Sequence, residues 1–92
     1  MIIRILGEGQ FDVADTHMAE LNFLDEQLVQ AADAGDETGF ALTLRQLLAA
    51  IRYRGTAIAD DRIEVSDLVL PSADMPLAEV RAMLRDDGLI PG

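Results

Sequence analysis

The chain has 92 residues, seventeen acids against seven arginines, no lysine and no cysteine, and a formal net charge of −10. That length suits one small domain, 1–92, whose folding buries only about 60% of the unfolded-chain surface. The missing cysteine excludes disulfides and thiolate metal sites and makes an intracellular location the default. The acidity disfavours direct contact with nucleic-acid phosphates or anionic lipid heads.

Half of the residues are apolar, but the aromatics are only Phe11, Phe23, Phe40 and Tyr53, which favours an aliphatic core built on helices. The opening MIIRILGEG holds an apolar run too short for a signal sequence, and no later window approaches a membrane span. A soluble chain without direct membrane insertion is expected. Ile2, Ile3, Ile5 and Leu6 form a β-branched run that stops at Gly7-Glu8-Gly9-Gln10. Phe11 and Val13 then alternate with Asp12, so the segment reads as a hairpin with a glycine-bearing loop. Gly7 and Gly9 lack the third glycine and the following helix of a dinucleotide fingerprint and read as turn glycines.

Asp15 is the expected N-cap of a first helix, in which Met18, Leu21, Leu24, Leu28 and Ala31 share one side. Gly35 supplies the position just beyond its end, and Asp36 caps a second helix running from Glu37 towards Arg54. So short a link predicts an antiparallel helical hairpin. The second helix carries its main stripe on Phe40, Leu44, Leu47 and Ile51, flanked by Leu48. Nearly opposite lie Leu42, Ala49 and Tyr53, with Gln46 among them. Two apolar faces require two neighbours: the sheet and the first helix, or another protein.

After Gly55, residues 56–62 read as a connecting loop with a turn at Asp60-Asp61. Ile63 and Val65 alternate with Glu64, and Leu68-Val69-Leu70 gives a buried strand stopped by Pro71, so a strand is predicted near residues 65 to 70. Asp74 is the expected cap of a third helix with Pro76 in its first turn and Leu77, Val80 and Leu84 inward. Gly88 ends that helix, Leu89 folds back on Leu84, and Pro91 blocks continuation. No internal repeat or second domain is present. The fold class is α+β: a small sheet, the N-terminal hairpin plus a later strand, packed by a helical hairpin and a short C-terminal helix.

The chemical inventory is thin. His17 and Glu20 have the spacing of half a metal site, but without a second His or any Cys they make a poor zinc set. Ser66 and Ser72 have no nucleophile elbow and no histidine nearby in sequence. Asp60-Asp61 and Asp86-Asp87 lie where Asp is common for conformational reasons, and DAGDETGF does not supply a calcium loop. No catalytic, cofactor-binding or metal residues are assigned, and an enzymatic role is not expected. Phe23 stands apart, about 150° round the first helix from its apolar stripe, among Glu26, Gln27 and Gln30. It is covered either by another protein or by the tail Leu89-Ile90. With Leu42 and Tyr53, Phe23 completes the set of interface candidates.

The opening M-I-x-R-I-x-G-E-G-Q, the helix link AGDETGF, and S-D-L-V-L-P followed after a capped helix by G-L-I-P-G together resemble the phage-shock-protein-A-associated family, PspAA. The resemblance spans nearly the whole chain, and its specificity lies in the paired ends. Position 76 departs from it: the family pattern has Ser or Thr there, and this chain has Pro76. The resemblance implies a cytoplasmic, non-enzymatic modulator of a phage shock protein A (PspA) homologue. It also implies that this partner is a coiled-coil protein of the membrane-stress response, so that the chain reaches the inner face of the membrane only through it. The family supplies no catalytic residues to carry over. The alternative is a self-associating domain forming a homodimer without an obligatory partner.

Overall fold

Four short strands form one mixed sheet in the order β3-β2-β1-β4. They are β1 Ile2–Ile5, β2 Gly9–Asp12, β3 Thr56–Ala57 and β4 Leu68–Leu70. The helices are α1 Met18–Asp33, α2 Glu37–Arg54 and α3 Leu77–Arg81, with a single 3-10 turn over Asp15–His17 ahead of α1. The computed structural model describes residues 1–62 and 64–82.

The alternation of β1 decides which face of the sheet is covered. Ile3 and Ile5 are fully buried and Arg4 is exposed on the opposite side. The hairpin is tighter than the sequence suggests. The Glu8 N–H donates to the Ile5 carbonyl at 3.0 Å, and Gly9 and Gln10 already belong to β2, paired with Ile5 and Arg4.

Both ends of the helix link act as their residues require. Gly35 takes a φ of 67°, the Asp36 N–H donates to the Ala31 carbonyl at 3.0 Å, and the Gly35 N–H to that of Ala32 at 3.1 Å. This is a Schellman closure of α1. Asp36 then caps α2, its Oδ1 accepting the Gly39 N–H at 2.9 Å. Leu21 and Leu28 of α1 are fully buried; Met18, Leu24 and Ala31 pack at the margin. Phe40, Leu44, Leu47, Leu48 and Ile51 of α2 join them, with Val13, Leu70, Leu77 and Val80. One face of α2 thus serves both neighbours, the sheet and α1.

Several expectations are corrected. Asp15 does not cap: the first turn is 3-10, Ala14 is its N-cap, and no side chain closes it. Asp74 does not cap α3; its Oδ1 accepts from the Ser72 hydroxyl at 2.8 Å, and the Pro76 carbonyl takes the N–H groups of Glu79 and Val80. Residues 56–62 are not all loop, because Thr56 and Ala57 pair with Asp12 and Phe11 as an edge strand. Gly55, between α2 and that strand, sits where a Cβ would meet the Ile51 carbonyl of α2 at 2.7 Å, Val13 Cγ2 at 3.0 Å and Phe11 Cβ of β2 at 3.2 Å. The later strand is Leu68–Leu70 alone, and Val65 lies outside it, 87% exposed. Expectations for Ile63, Leu84, Asp86-Asp87, Gly88, Leu89, Ile90 and Pro91 fall outside the described residues.

β4 closes the sheet by pairing with β1 in parallel, Ile3 opposite Leu68 and Ile5 opposite Leu70. Side chains reinforce this three-residue strand. The Ile2 N–H donates to Asp67 Oδ2 at 2.7 Å while the Asp67 N–H returns to the Ile2 carbonyl at 2.8 Å. Gln10, only 8% exposed, donates from Nε2 to the Glu64 carbonyl at 3.0 Å and to Ser66 Oγ at 2.7 Å. Arg81 ties α3 to the end of α1, donating to the Ala32 carbonyl at 2.8 Å.

Two stability measurements check this account. Asp36→Ala leaves the Gly39 N–H without its acceptor and should cost about 1 kcal/mol in urea unfolding. Gln10→Ala should cost about 1–3 kcal/mol, because the Glu64 carbonyl loses its donor in a part-buried place, with the midpoint falling and the slope unchanged.

Candidate protein-interaction surface

The described residues include six exposed large apolar side chains, and three of them lie on the helical hairpin: Phe23 at 59%, Leu42 at 56% and Tyr53 at 79% exposure. The remaining three, Leu6, Val65 and Val69, lie in and around the sheet. With its core side occupied, α2 leaves Leu42, Gln46, Ala49 and Tyr53 in solvent along one stripe. The second apolar face read from the sequence is therefore an outer surface. Phe23 stands on the other helix, flanked along α1 by exposed Ala19, Glu26, Gln27 and Gln30. Leu42 and Tyr53 thus share one exposed stripe of α2, and Phe23 stands on the exposed side of α1.

Charge divides the hairpin. α1 carries Glu20, Asp25, Glu26 and Asp33 and no basic residue, whereas α2 carries Arg45, Arg52 and Arg54 against the single acid Glu37. Two of the arginines are anchored. Arg52 forks onto Glu8 in the β1–β2 turn, Nε to Oε1 at 2.6 Å and Nη2 to Oε2 at 2.5 Å. Arg54 donates to Glu20 Oε2 at 3.0 Å and lies 5.1 Å from the centre of the Tyr53 ring, where it stacks on the ring's face. The hydrogen bonds from Arg52 hold the Glu8 carboxyl below its ordinary value, and the same bonds raise Arg52.

Both serines are engaged in side-chain hydrogen bonds. Ser66 accepts from Gln10 and Ser72 donates to Asp74. His17 ends the 3-10 turn, half-buried, and no three His, Asp or Glu side chains among the described residues converge as a metal site would require. An open groove of about 380 Å³ runs between the start of α2 and the turn before α3. Phe40, Ala41, Met75 and Leu77 supply its apolar lining, and Glu37, Arg45 and Asp74 its charged rim. No hydroxyl in it stands beside a base. No helix among the described residues is long and apolar enough to cross a membrane.

Sequence reasoning overlooked the arginine rim of α2, although its signal was present in the seven-residue interval from Arg45 to Arg52. It also missed the bonds of Gln10 and Asp67, which no local pattern announces.

The Glu8–Arg52 fork makes a pH prediction. Because the folded-state value of Glu8 is depressed, its contribution is complete above the unfolded value of 4.5 and is lost as pH falls through the lower folded value. The stability difference between wild type and Glu8→Gln should be flat at neutral pH and shrink below pH 4.5. The pair is solvent-exposed, so its size should stay below about 1 kcal/mol.

No curated protein and no solved structure matches the chain. The opening segment and the S-D-L-V-L-P segment quoted from the sequence meet in the β1–β4 pairing, with Gln10 and Asp67 bonding across it. The family model described as PspA-associated protein, PspAA, matches residues 1–92, and the chain belongs to that family.

Proposed function

We propose that this protein is a non-enzymatic adaptor that binds a PspA homologue in the envelope-stress response and reaches the inner face of the membrane only through it. The observation that carries the reading is the whole-chain match to a family named for association with PspA. The surface supports it: the hairpin presents Phe23, Leu42 and Tyr53 to solvent, and both serines are engaged in hydrogen bonds within the fold. Single exposed hydrophobes are ordinary on soluble proteins, but Leu42 and Tyr53 on one helical face form a patch that gains from a cover. The homodimer alternative gains no support from this face. Two copies meeting through α2 would bring arginine rims together.

The test is direct titration of the purified PspA homologue of the same organism. Wild type should bind, and the triple variant Phe23→Asp, Leu42→Asp, Tyr53→Asp should lose at least about tenfold in affinity while its far-UV circular dichroism stays unchanged. A wild type that shows no binding, together with a mass by light scattering that doubles on concentration, would replace this reading with the homodimer.

A further inference from the structure

We infer that the outer face of α2 is a coiled-coil seam for one amphipathic helix whose apolar stripe is flanked by acids. The inference rests on the adaptor reading for the partner's identity, but the chemistry of the occupant follows from α2 itself.

Three observations carry it. The exposed residues Leu42, Gln46, Ala49 and Tyr53 succeed one another at steps of four, three and four, the alternation of core positions in a heptad repeat. The seam is about 16 Å long at 1.5 Å per residue, enough for three turns of a partner helix. Its middle is the small side chain Ala49, which lets a neighbouring backbone approach, and Gln46 is a polar core position that sets register. α1 offers no equivalent. Phe23 is followed at the same steps by Gln27 and Gln30, so a helix laid there would meet one aromatic and then amides.

The rim specifies the partner's charge. Arg45 and Arg52 occupy the position immediately before Gln46 and Tyr53, where heptad partners are selected by charge, and Arg54 borders the other side. Arg52 and Arg54 are fixed by Glu8 and Glu20, and Arg54 in turn steadies the Tyr53 ring. Arg45 is exposed and has no ion-pair partner among the described residues. After Glu37 the helix contains no acid at all, in a chain whose net charge is −10. Along α2 the seam is bordered by arginines, of which Arg45 is the one without an ion-pair partner among the described residues. An approaching helix with acids beside its apolar stripe is attracted by the rim, whereas a lysine-flanked helix is repelled by it.

The experiment uses two synthetic helices of about three heptads, both with leucine at the core positions, one flanked by glutamate and one by lysine. Each is titrated into the labelled full chain and followed by amide shifts. The glutamate helix should move the amides of Leu42, Gln46, Ala49 and Tyr53 and lose affinity as salt rises from roughly 50 to 500 mM. Arg45→Glu should weaken its binding at least about tenfold, and Phe23→Ala should change it less than about twofold. Equal binding of the lysine helix, shifts confined to α1, or no binding of either helix overturns the seam. The purified PspA homologue, run against the same variants, separates the two claims. If it binds but ignores Arg45→Glu and Tyr53→Ala, the seam fails and the adaptor reading stands. If only the glutamate helix binds, the seam stands and the adaptor reading fails.

Discussion

The parallel pairing of β1 with β4 is the contact on which the rest of this structure depends. A strand of three residues is too short to hold its place by ladder bonds alone, and here the helical hairpin and β3 lie between it and its partner in sequence. The pairing survives because side chains extend it on the N-terminal side of Leu68, while at its other end the Leu6 N–H donates to the Leu70 carbonyl at 3.0 Å. Asp67 exchanges bonds with Ile2, and Gln10 reaches across from β2 to grip Glu64 and Ser66. With β4 in place, Leu70 joins Ile3 and Ile5 on the covered face of the sheet. The segment that follows then lies where Leu77 and Val80 complete the core and Arg81 reaches the end of α1.

This arrangement has a consequence for function. Because one face of α2 is enough to meet both the sheet and α1, the opposite face is left over, and it is neither polar nor neutral. It carries Leu42 and Tyr53, and it is bordered by the arginines of a strongly acidic chain. The fork onto Glu8 and the contact with Glu20 tie that border to the hairpin turn and to α1. The outer surface is therefore held in register with the core, which lowers the ordering cost of docking a partner. Affinity and specificity can be divided on such a face, apolar side chains supplying the first and the charged rim the second.

The expectations that failed share a cause. Asp15 and Asp74 both precede helices and both belong to a residue type that caps well, yet neither caps. At Asp15 the chain leaves β2 extended and turns first through a 3-10 segment; at Asp74 the carboxylate is taken by Ser72 and the proline two residues on starts the helix. Asp36 succeeded because its link is so short that Gly35 fixes the backbone immediately before it. Capping propensity is a local preference, and it is realised only where the approach of the chain permits it. The two-residue β3 was invisible for the same reason: Thr56 and Ala57 become a strand only because Phe11 and Asp12 lie alongside.

Read alone, the sequence determined the α+β class, the first hairpin, both long helices and their joint, because each of these is written in periodicity and turn chemistry over neighbouring residues. It also determined that α2 has two apolar faces and that Phe23, Leu42 and Tyr53 lie off the main stripes, since helical geometry converts spacing directly into angle. Which α2 face is core, the order of the strands and the parallel placement of β4 were decided only by the tertiary structure. These depend on contacts between residues far apart in the chain, such as Gln10 with Ser66 and Glu8 with Arg52, and no local pattern encodes which distant partner a side chain will meet.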